Sequence, residues 1–135
     1  MSYFSRKVDI PKPLQGEYVV TIKEHMDMSD EKGDRYLIRL NVEDRTYDYY
    51  IFPSEDDYKY EDESRKKLKR SQVNYLLEVF AKILNEYGSL DLVEQINKMS
   101  NEQIRFMVNI VYNPQYGRNN VSFYPERITE DAPDM

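Results

Sequence analysis

The stretch Arg45-Thr46-Tyr47-Asp48-Tyr49-Tyr50-Ile51-Phe52-Pro53 carries four aromatic rings between Tyr47 and Phe52. Such rings do no covalent chemistry on their own. On a protein surface they stack, on one another or on the flat face of a base. Aromatic and β-branched residues suit a pleated, half-buried strand, whose side chains alternate between two faces. Tyr47, Tyr49 and Ile51 therefore share one face, and Asp48, Tyr50 and Phe52 share the other. A single hydrophobic core uses one of these faces. The second calls for another layer, a partner or a flat ligand.

Residues suited to catalysis are sparse. There is no Cys and one His, His25, which excludes disulfides, thiolate metal sites and any site built on two imidazoles. Gly16, Gly33, Gly88 and Gly117 are isolated, so there is no glycine-rich phosphate loop. Paired carboxylates such as Asp56-Asp57 suit Mg²⁺ in principle, but they lie in a run of acids whose plainer role is solvated charge. His25 reads as an ordinary surface residue at a strand end. The expectation is a protein with no catalytic residues, no metal and no cofactor.

The elements that position the rings follow from periodicity. Residues 1–15 read as an arm, held extended by Ile10-Pro11-Lys12-Pro13. Glu17 to Met26 alternates as a strand with Tyr18, Val20 and Ile22 on one face. A polar hairpin loop, 27–34, leads to a second strand, Arg35 to Val42. There Tyr36, Ile38, Leu40 and Val42 form the apolar face, and Arg35, Leu37, Arg39 and Asn41 the other. Glu43-Asp44 turns into the aromatic strand.

Residues 54–70 read as a long, mobile charged loop inserted after the third strand, first acidic and then basic from Arg65 to Arg70. The basic run either neutralises the acids or flanks a nucleic-acid groove. Ser71 to Tyr87 is helical, with Val73, Leu76, Leu77, Phe80, Ile83, Leu84 and Tyr87 as its buried stripe and Gly88 at its C-terminal stop. Ser89 caps a second helix, Leu90 to Met99, with Leu92, Val93, Ile96 and Met99 inward. Gln103 to Tyr112 alternates again. Asn113 to Asn119 is a turn-rich loop, and Asn120 to Tyr124 is a last strand ended by Pro125. Residues 126–135 form an acidic tail.

The order β-β-β-α-α-β-β is that of an OB-fold, a five-stranded antiparallel Greek-key barrel that is mainly β, here spanning 16–125 as one domain. The inward rows are those of Tyr18, Tyr36, Ile38, Tyr49, Ile51, Ile104, Phe106 and Phe123. The leftover row is Lys23, Arg35, Arg39, Tyr50, Phe52 and Arg105, with Tyr116 and Arg118 at a loop tip. It mixes rings with cations, the combination that binds single-stranded nucleic acid. Each stacked base contributes roughly 1–3 kcal/mol. Packing against helices or a dimer interface is the plainer use of any one of these rings.

Leu14-Gln15-Gly16-Glu17-Tyr18-Val19-Val20-Thr21-Ile22, Tyr36 to Val42, Tyr49-Tyr50-Ile51-Phe52-Pro53 and Asn119 to Pro125 together resemble a family of small bacteriophage proteins from replication and recombination modules. Some of that family are OB-fold single-stranded DNA-binding proteins. The resemblance implies DNA binding without catalysis and a homodimer or larger assembly. It also implies that the tail Glu130, Asp131, Pro133, Asp134 and Met135 recruits recombinase or replication proteins, although the tail lacks the terminal Phe of the bacterial proteins.

The balance of 25 Asp+Glu against 19 Lys+Arg, a net charge of -6, argues against a broadly basic duplex binder. It favours an alternative: an acidic protein-interaction module that binds or inhibits a host protein, as a mimic of DNA charge. No segment is apolar enough to span a membrane, and the first residues lack an apolar signal core, so the expected location is the cytoplasm, that of the host cell if phage-encoded.

Overall fold

The computed structural model describes residues 3–10, 12–62, 64, 66–88 and 90–129. After an arm that opens with a 3-10 turn, Tyr3–Ser5, come three long strands, β1 (Gly16–Asp27), β2 (Tyr36–Val42) and β3 (Arg45–Ile51). A short hairpin follows, β4 (Tyr60–Asp62) with β5 (Lys67–Leu68), then helices α1 (Gln72–Leu84) and α2 (Leu92–Asn101). Strands β6 (Phe106–Asn113) and β7 (Arg118–Arg127) complete the chain. The long strands form one antiparallel sheet in the order β3-β2-β1-β6-β7. The fold is mainly β with two helices, in the pairing order of an OB barrel. The two edges, β3 and β7, share no ladder among the described residues, so the sheet is open.

Strand β1 belongs to both halves of the sheet. Gly16 to Val20 pairs with β6, and Val20 to Asp27 pairs with β2. It can serve both because it bends at a bulge: Ile22 faces Leu40 and Glu24 faces Arg39, leaving Lys23 as the extra residue. The bulge also resets the alternation. Val20 and Ile22 point inward, and after Lys23 the inward position passes to His25, opposite Ile38. His25 is thus not an ordinary surface residue. It is half-buried, and its Nδ1 lies 2.6 Å from the Tyr36 hydroxyl.

The inward rows bury Val20, Ile22, Ile38, Leu40, Ile51, Phe106, Val108, Ile110 and Phe123 against Val73, Leu76, Phe80 and Ile83 of α1 and Leu92, Ile96 and Met99 of α2. Each such side chain contributes roughly 1.5–3 kcal/mol by leaving water. Tyr47 and Tyr49 pack on this core as their alternation requires. Leu37 departs from the simple two-face pattern: it lies on the outer row between Met26 and Tyr50, yet is only 1% exposed.

Helix ends differ from the sequence expectation. Ser71 caps α1 by accepting from the Asn74 amide, as its type favours. The helix stops at Leu84, ahead of Tyr87, with Asn85 in the left-handed region at φ 56°. Asn tolerates that conformation, and Arg127 supplies the rest: its Nε and Nη2 donate to the Ile83 and Leu84 carbonyls at 3.0 and 3.2 Å. Tyr87 consequently lies outside the helix and is exposed. Helix α2 is capped by Asp91 in a reciprocal box with Glu94 rather than by Ser89, which lies outside the described residues. Its Val93 faces solvent. Strand β7 runs through Pro125 to Arg127. Proline is tolerated there because β7 is an edge and its register shifts beside that residue.

Side chains close the gap between the two edges. Tyr49 of β3 and Phe123 of β7 meet edge to face at 5.1 Å. The Phe123 amide donates to the Tyr75 hydroxyl at 2.8 Å. On the other edge, Gln72 Nε2 donates to the Tyr49 hydroxyl and the Tyr50 carbonyl, both at 2.9 Å, while its Oε1 accepts from the Phe52 amide at 3.0 Å. Helix α1 thus satisfies backbone groups on both edge strands.

The charged insertion is more structured than expected. Besides the β4–β5 hairpin, it is fastened by Asn74, which is buried at 1% exposure. Its Oδ1 accepts from the Tyr58 amide at 2.8 Å, and its Nδ2 donates to the Asp56 and Lys69 carbonyls at 2.9 and 2.8 Å. No helix of the described residues is long and apolar enough to cross a membrane.

Removing this amide takes the Asn74 partner from the Tyr58 amide and the Lys69 carbonyl, and leaves the Asp56 carbonyl with the Lys59 amide alone, at 3.2 Å. Asn74→Ala is expected to lower the unfolding free energy in urea by roughly 2–4 kcal/mol. A change below about 0.5 kcal/mol, the range of ordinary surface substitutions, would show that the insertion is not held this way.

Candidate nucleic-acid interface

The outer face of β1, β2 and β3 presents three rows set by the ladder register. Thr21, Asn41 and Thr46 form the first, with Asn41 Nδ2 donating to Thr21 Oγ1 at 3.1 Å. Glu24, Arg39 and Asp48 form the second, and Met26, Leu37 and Tyr50 the third. Beyond the last row Phe52 projects, 55% exposed, from a backbone pinned by Gln72. Tyr50 on this face and Phe52 just past the end of β3 are both exposed rings.

Beside the second row is a cleft of about 510 Å³ lined by Lys23, Arg39, Arg45, Thr46, Tyr47, Asp48, Asn119, Pro13 and Leu14. The bulge presents Lys23 to it. Arg45 stands at the start of β3 and donates to the Lys12 carbonyl at 2.5 Å, which ties the arm to the rim. Lys23 and Arg45 have no carboxylate partner among the described residues. The β6–β7 turn stands near the same cleft. Gly117 at φ 64° lets it close tightly, and the Arg118 guanidinium lies 5.7 Å from the centre of the Tyr116 ring. Asn119, the next residue of β7, reaches the cleft wall.

Arg39 is spoken for. Its Nε and Nη2 hold both Asp48 oxygens at 2.7 and 3.1 Å, and its Nη1 holds Glu24 Oε1 at 2.5 Å. The hydrogen bond from Arg39 holds the Asp48 carboxyl below its ordinary pKa, and the carboxylates push the guanidinium further up. One cation against two anions leaves this row net negative, so Arg39 orders the surface more than it offers charge.

Arg35 is also paired, with Asp30 at 3.3 Å, and lines a different groove with Tyr36, Ile51, Tyr58 and Val93. Arg105 is half-buried in a third cleft beside Arg127 and Glu102. Of the eight residues expected to bind nucleic acid, Lys23 and Arg39 share the cleft. Tyr50 and Phe52 share the adjoining face, and Tyr116 and Arg118 stand at the hairpin tip. Arg35 and Arg105 do not join them. The tail residues Glu130, Asp131, Pro133, Asp134 and Met135 lie outside the described residues.

Arg45 and Asn119 were not expected at the site. Period-two counting puts Arg45 in the row of Tyr47, Tyr49 and Ile51, opposite buried Val42, but its long side chain reaches the Lys12 carbonyl at the rim of the cleft. None of the described residues of the charged insertion lines the cleft. The insertion packs on the helices, where Lys69 pairs with Asp56 at 3.6 Å and Lys67 with Glu61 at 3.9 Å. Those two lysines of the basic run neutralise the preceding acids. Arg65 lies outside the described residues. No group of three or more metal-ligating side chains occurs among the described residues. No family model matches the chain, and no curated protein matches it.

The Arg39–Asp48 pair sets a pH dependence. A carboxyl held below its unfolded value stabilises the fold fully above about pH 4 and loses that contribution as the pH falls through its depressed native value. Followed by NMR, the Asp48 carboxyl is expected to titrate below the usual range in the wild type and to move upward in Arg39→Gln. Coincident titrations in the two proteins would show that the pair carries no such linkage.

Proposed function

We propose that this protein is a non-catalytic single-stranded DNA-binding module of the phage replication and recombination type. The observation that carries the reading is the pairing of two accessible rings, Tyr50 and Phe52, with the adjoining cleft that gathers Lys23 and Arg45. Rings stack on unpaired bases and free cations track the backbone, which is how single strands are held without sequence readout. Tyr116 and Arg118 on the hairpin extend the path. Arg39 acts as an organiser: its forked grip on Asp48 and Glu24 holds three strands in register beneath the strand path. The pairing order of the sheet supports the same reading, since OB-folds bind oligonucleotides on the face of their second and third strands. The acidic tail is the segment through which replication or recombination proteins would be recruited.

A second reading rests on a specific observation. The net-negative Glu24–Arg39–Asp48 row at the centre of the face, on a chain of net charge -6, suits an acidic surface for a basic host protein.

Anisotropy with labelled oligo-dT and a matched duplex separates the two. The first reading expects binding to the single strand alone, weakening linearly in log[salt] as counterions are released. It also expects Lys23→Gln and Arg45→Gln each to lower the salt slope by about one phosphate contact. Tyr50→Ala with Phe52→Ala is expected to weaken binding at least about tenfold, matching the loss of one or two stacked bases, with the thermal midpoint nearly unchanged. No binding to either DNA at low salt would overturn this reading in favour of the second.

A further inference from the structure

On the side of the molecule away from the cleft, the β4–β5 hairpin and the two helices enclose a groove of about 610 Å³. Tyr58, Tyr60 and Tyr87 rim it with exposed rings, over an apolar floor of Leu68, Leu77, Ala81 and Leu90. Its charged residues are Glu78, Asp91 and Glu94 against Lys82, so it is net acidic. Gln95 lines it and is 3% exposed. Its Nε2 donates to the Leu77 carbonyl, whereas its Oε1 is buried with no partner. A buried acceptor without a donor is costly. Tyr58 is held over the groove in the left-handed region, at φ 65°, where its backbone amide donates a hydrogen bond to Asn74 Oδ1. A bulky residue held in that region marks stored strain, which clusters at binding sites. None of these features serves the DNA face.

The N-terminal arm presents the complementary problem. Every residue from Tyr3 to Ile10 is exposed; the Tyr3 and Phe4 rings meet edge to face at 5.3 Å and Arg6 lies 5.2 Å from the centre of the Tyr3 ring, while Val8 and Ile10 are 76% and 80% exposed. Arg6 and Lys7 stand between the apolar residues, and Asp9 is the one acid from Tyr3 to Ile10. The arm leaves its own domain at buried Leu14 and at the Arg45–Lys12 bond, beside the DNA cleft. The groove is on the helices, across the sheet.

We propose that this groove seats the N-terminal arm of a second copy of the chain. Its apolar residues cover the floor between the tyrosines. Its cations lie against the aromatic faces and the acidic rim, and its backbone brings a donor toward Gln95. A twofold axis lets each copy give one arm and receive one, so the contact is made twice and closes.

The test uses the full-length chain without DNA. Molar mass is measured by light scattering across the micromolar range for the wild type, Arg6→Glu/Lys7→Glu and Glu78→Lys, with thermal midpoints confirming that each is folded. The expected result is a wild-type dimer, association weakened at least about tenfold in each charge-reversed protein, and a dimer recovered when the two are mixed. Mixing restores both contacts, because the acidic arm meets the basic groove and the native arm meets the native groove. A wild-type monomer would overturn the proposal. So would a dimer that ignores both substitutions, or mixed variants that stay apart. A synthetic peptide of residues 3–10 provides an independent reading: it should compete with dimerisation and shift the NMR signals of Tyr58, Tyr60 and Tyr87. Peptide shifts confined to the β1–β3 face would also overturn it.

Discussion

An open five-stranded sheet has two edges, each a row of backbone groups in need of partners. Here both edges converge on Phe123. Its ring lies 5.1 Å from Tyr49 on the opposite edge strand, 5.6 Å from Phe80 of α1, 6.0 Å from Phe106 of β6 and 6.4 Å from Tyr75. Its backbone is bonded to the Tyr75 hydroxyl, while Gln72, one helical turn away, bonds the far edge. The curl of the sheet is therefore held by rings and by one helix instead of by a fifth ladder. The outer face of β1–β3 takes its curvature from that closure, and the accessible positions of Tyr50 and Phe52 depend on it.

The same face shows how a small acidic protein limits its own charge. Three charged groups from neighbouring strands meet there in one arrangement, Arg39 with Asp48 and Glu24, and Arg35 pairs with Asp30 outside it. Pairing of this kind organises strands more than it stabilises them, because exposed ion pairs contribute little to stability. It also removes cations from the pool available to a ligand. What remains for an anionic backbone is Lys23, displaced from the ladder by a bulge, Arg45 at a strand end and Arg118 at a turn. Lys23 lies where the pairing is interrupted, and Arg45 and Arg118 lie at the last ladder pair before a turn, opposite uncharged Val42 and Asn113.

Much of the scaffold was legible because strand burial has a strict period. The alternation of Tyr36, Ile38, Leu40 and Val42, and of Ile104, Phe106, Val108 and Ile110, separates inside from outside without further information, and the element order leads to the five-stranded antiparallel sheet. Other features depend on residues far apart in the chain. The α1 helix ends at Leu84 partly because Arg127, 43 residues later, caps it. A one-residue bulge at Lys23 leaves no mark in a count of period two, yet it turns His25 inward. Arg39 reads as a free cation until the register sets it between Glu24 and Asp48. Arg35 and Arg105 have the right residue type and the right parity but face other clefts, since parity assigns a face and not a position on it. Arg45 and Asn119 come together only because the β6–β7 hairpin returns toward the start of β3.

The role proposed for the outer face of β1–β3, with the hairpin tip beside it, is to hold a single DNA strand. The most direct measurement is the amide and side-chain NMR spectrum of the full-length protein titrated with oligo-dT. Binding on this face shifts signals at Lys23, Arg45, Tyr50 and Phe52 and at the turn from Tyr116 to Asn119, with Leu76, Phe80 and Ile83 unmoved. A titration without shifts, or one whose shifts gather at Tyr58, Tyr60 and Tyr87, would contradict it.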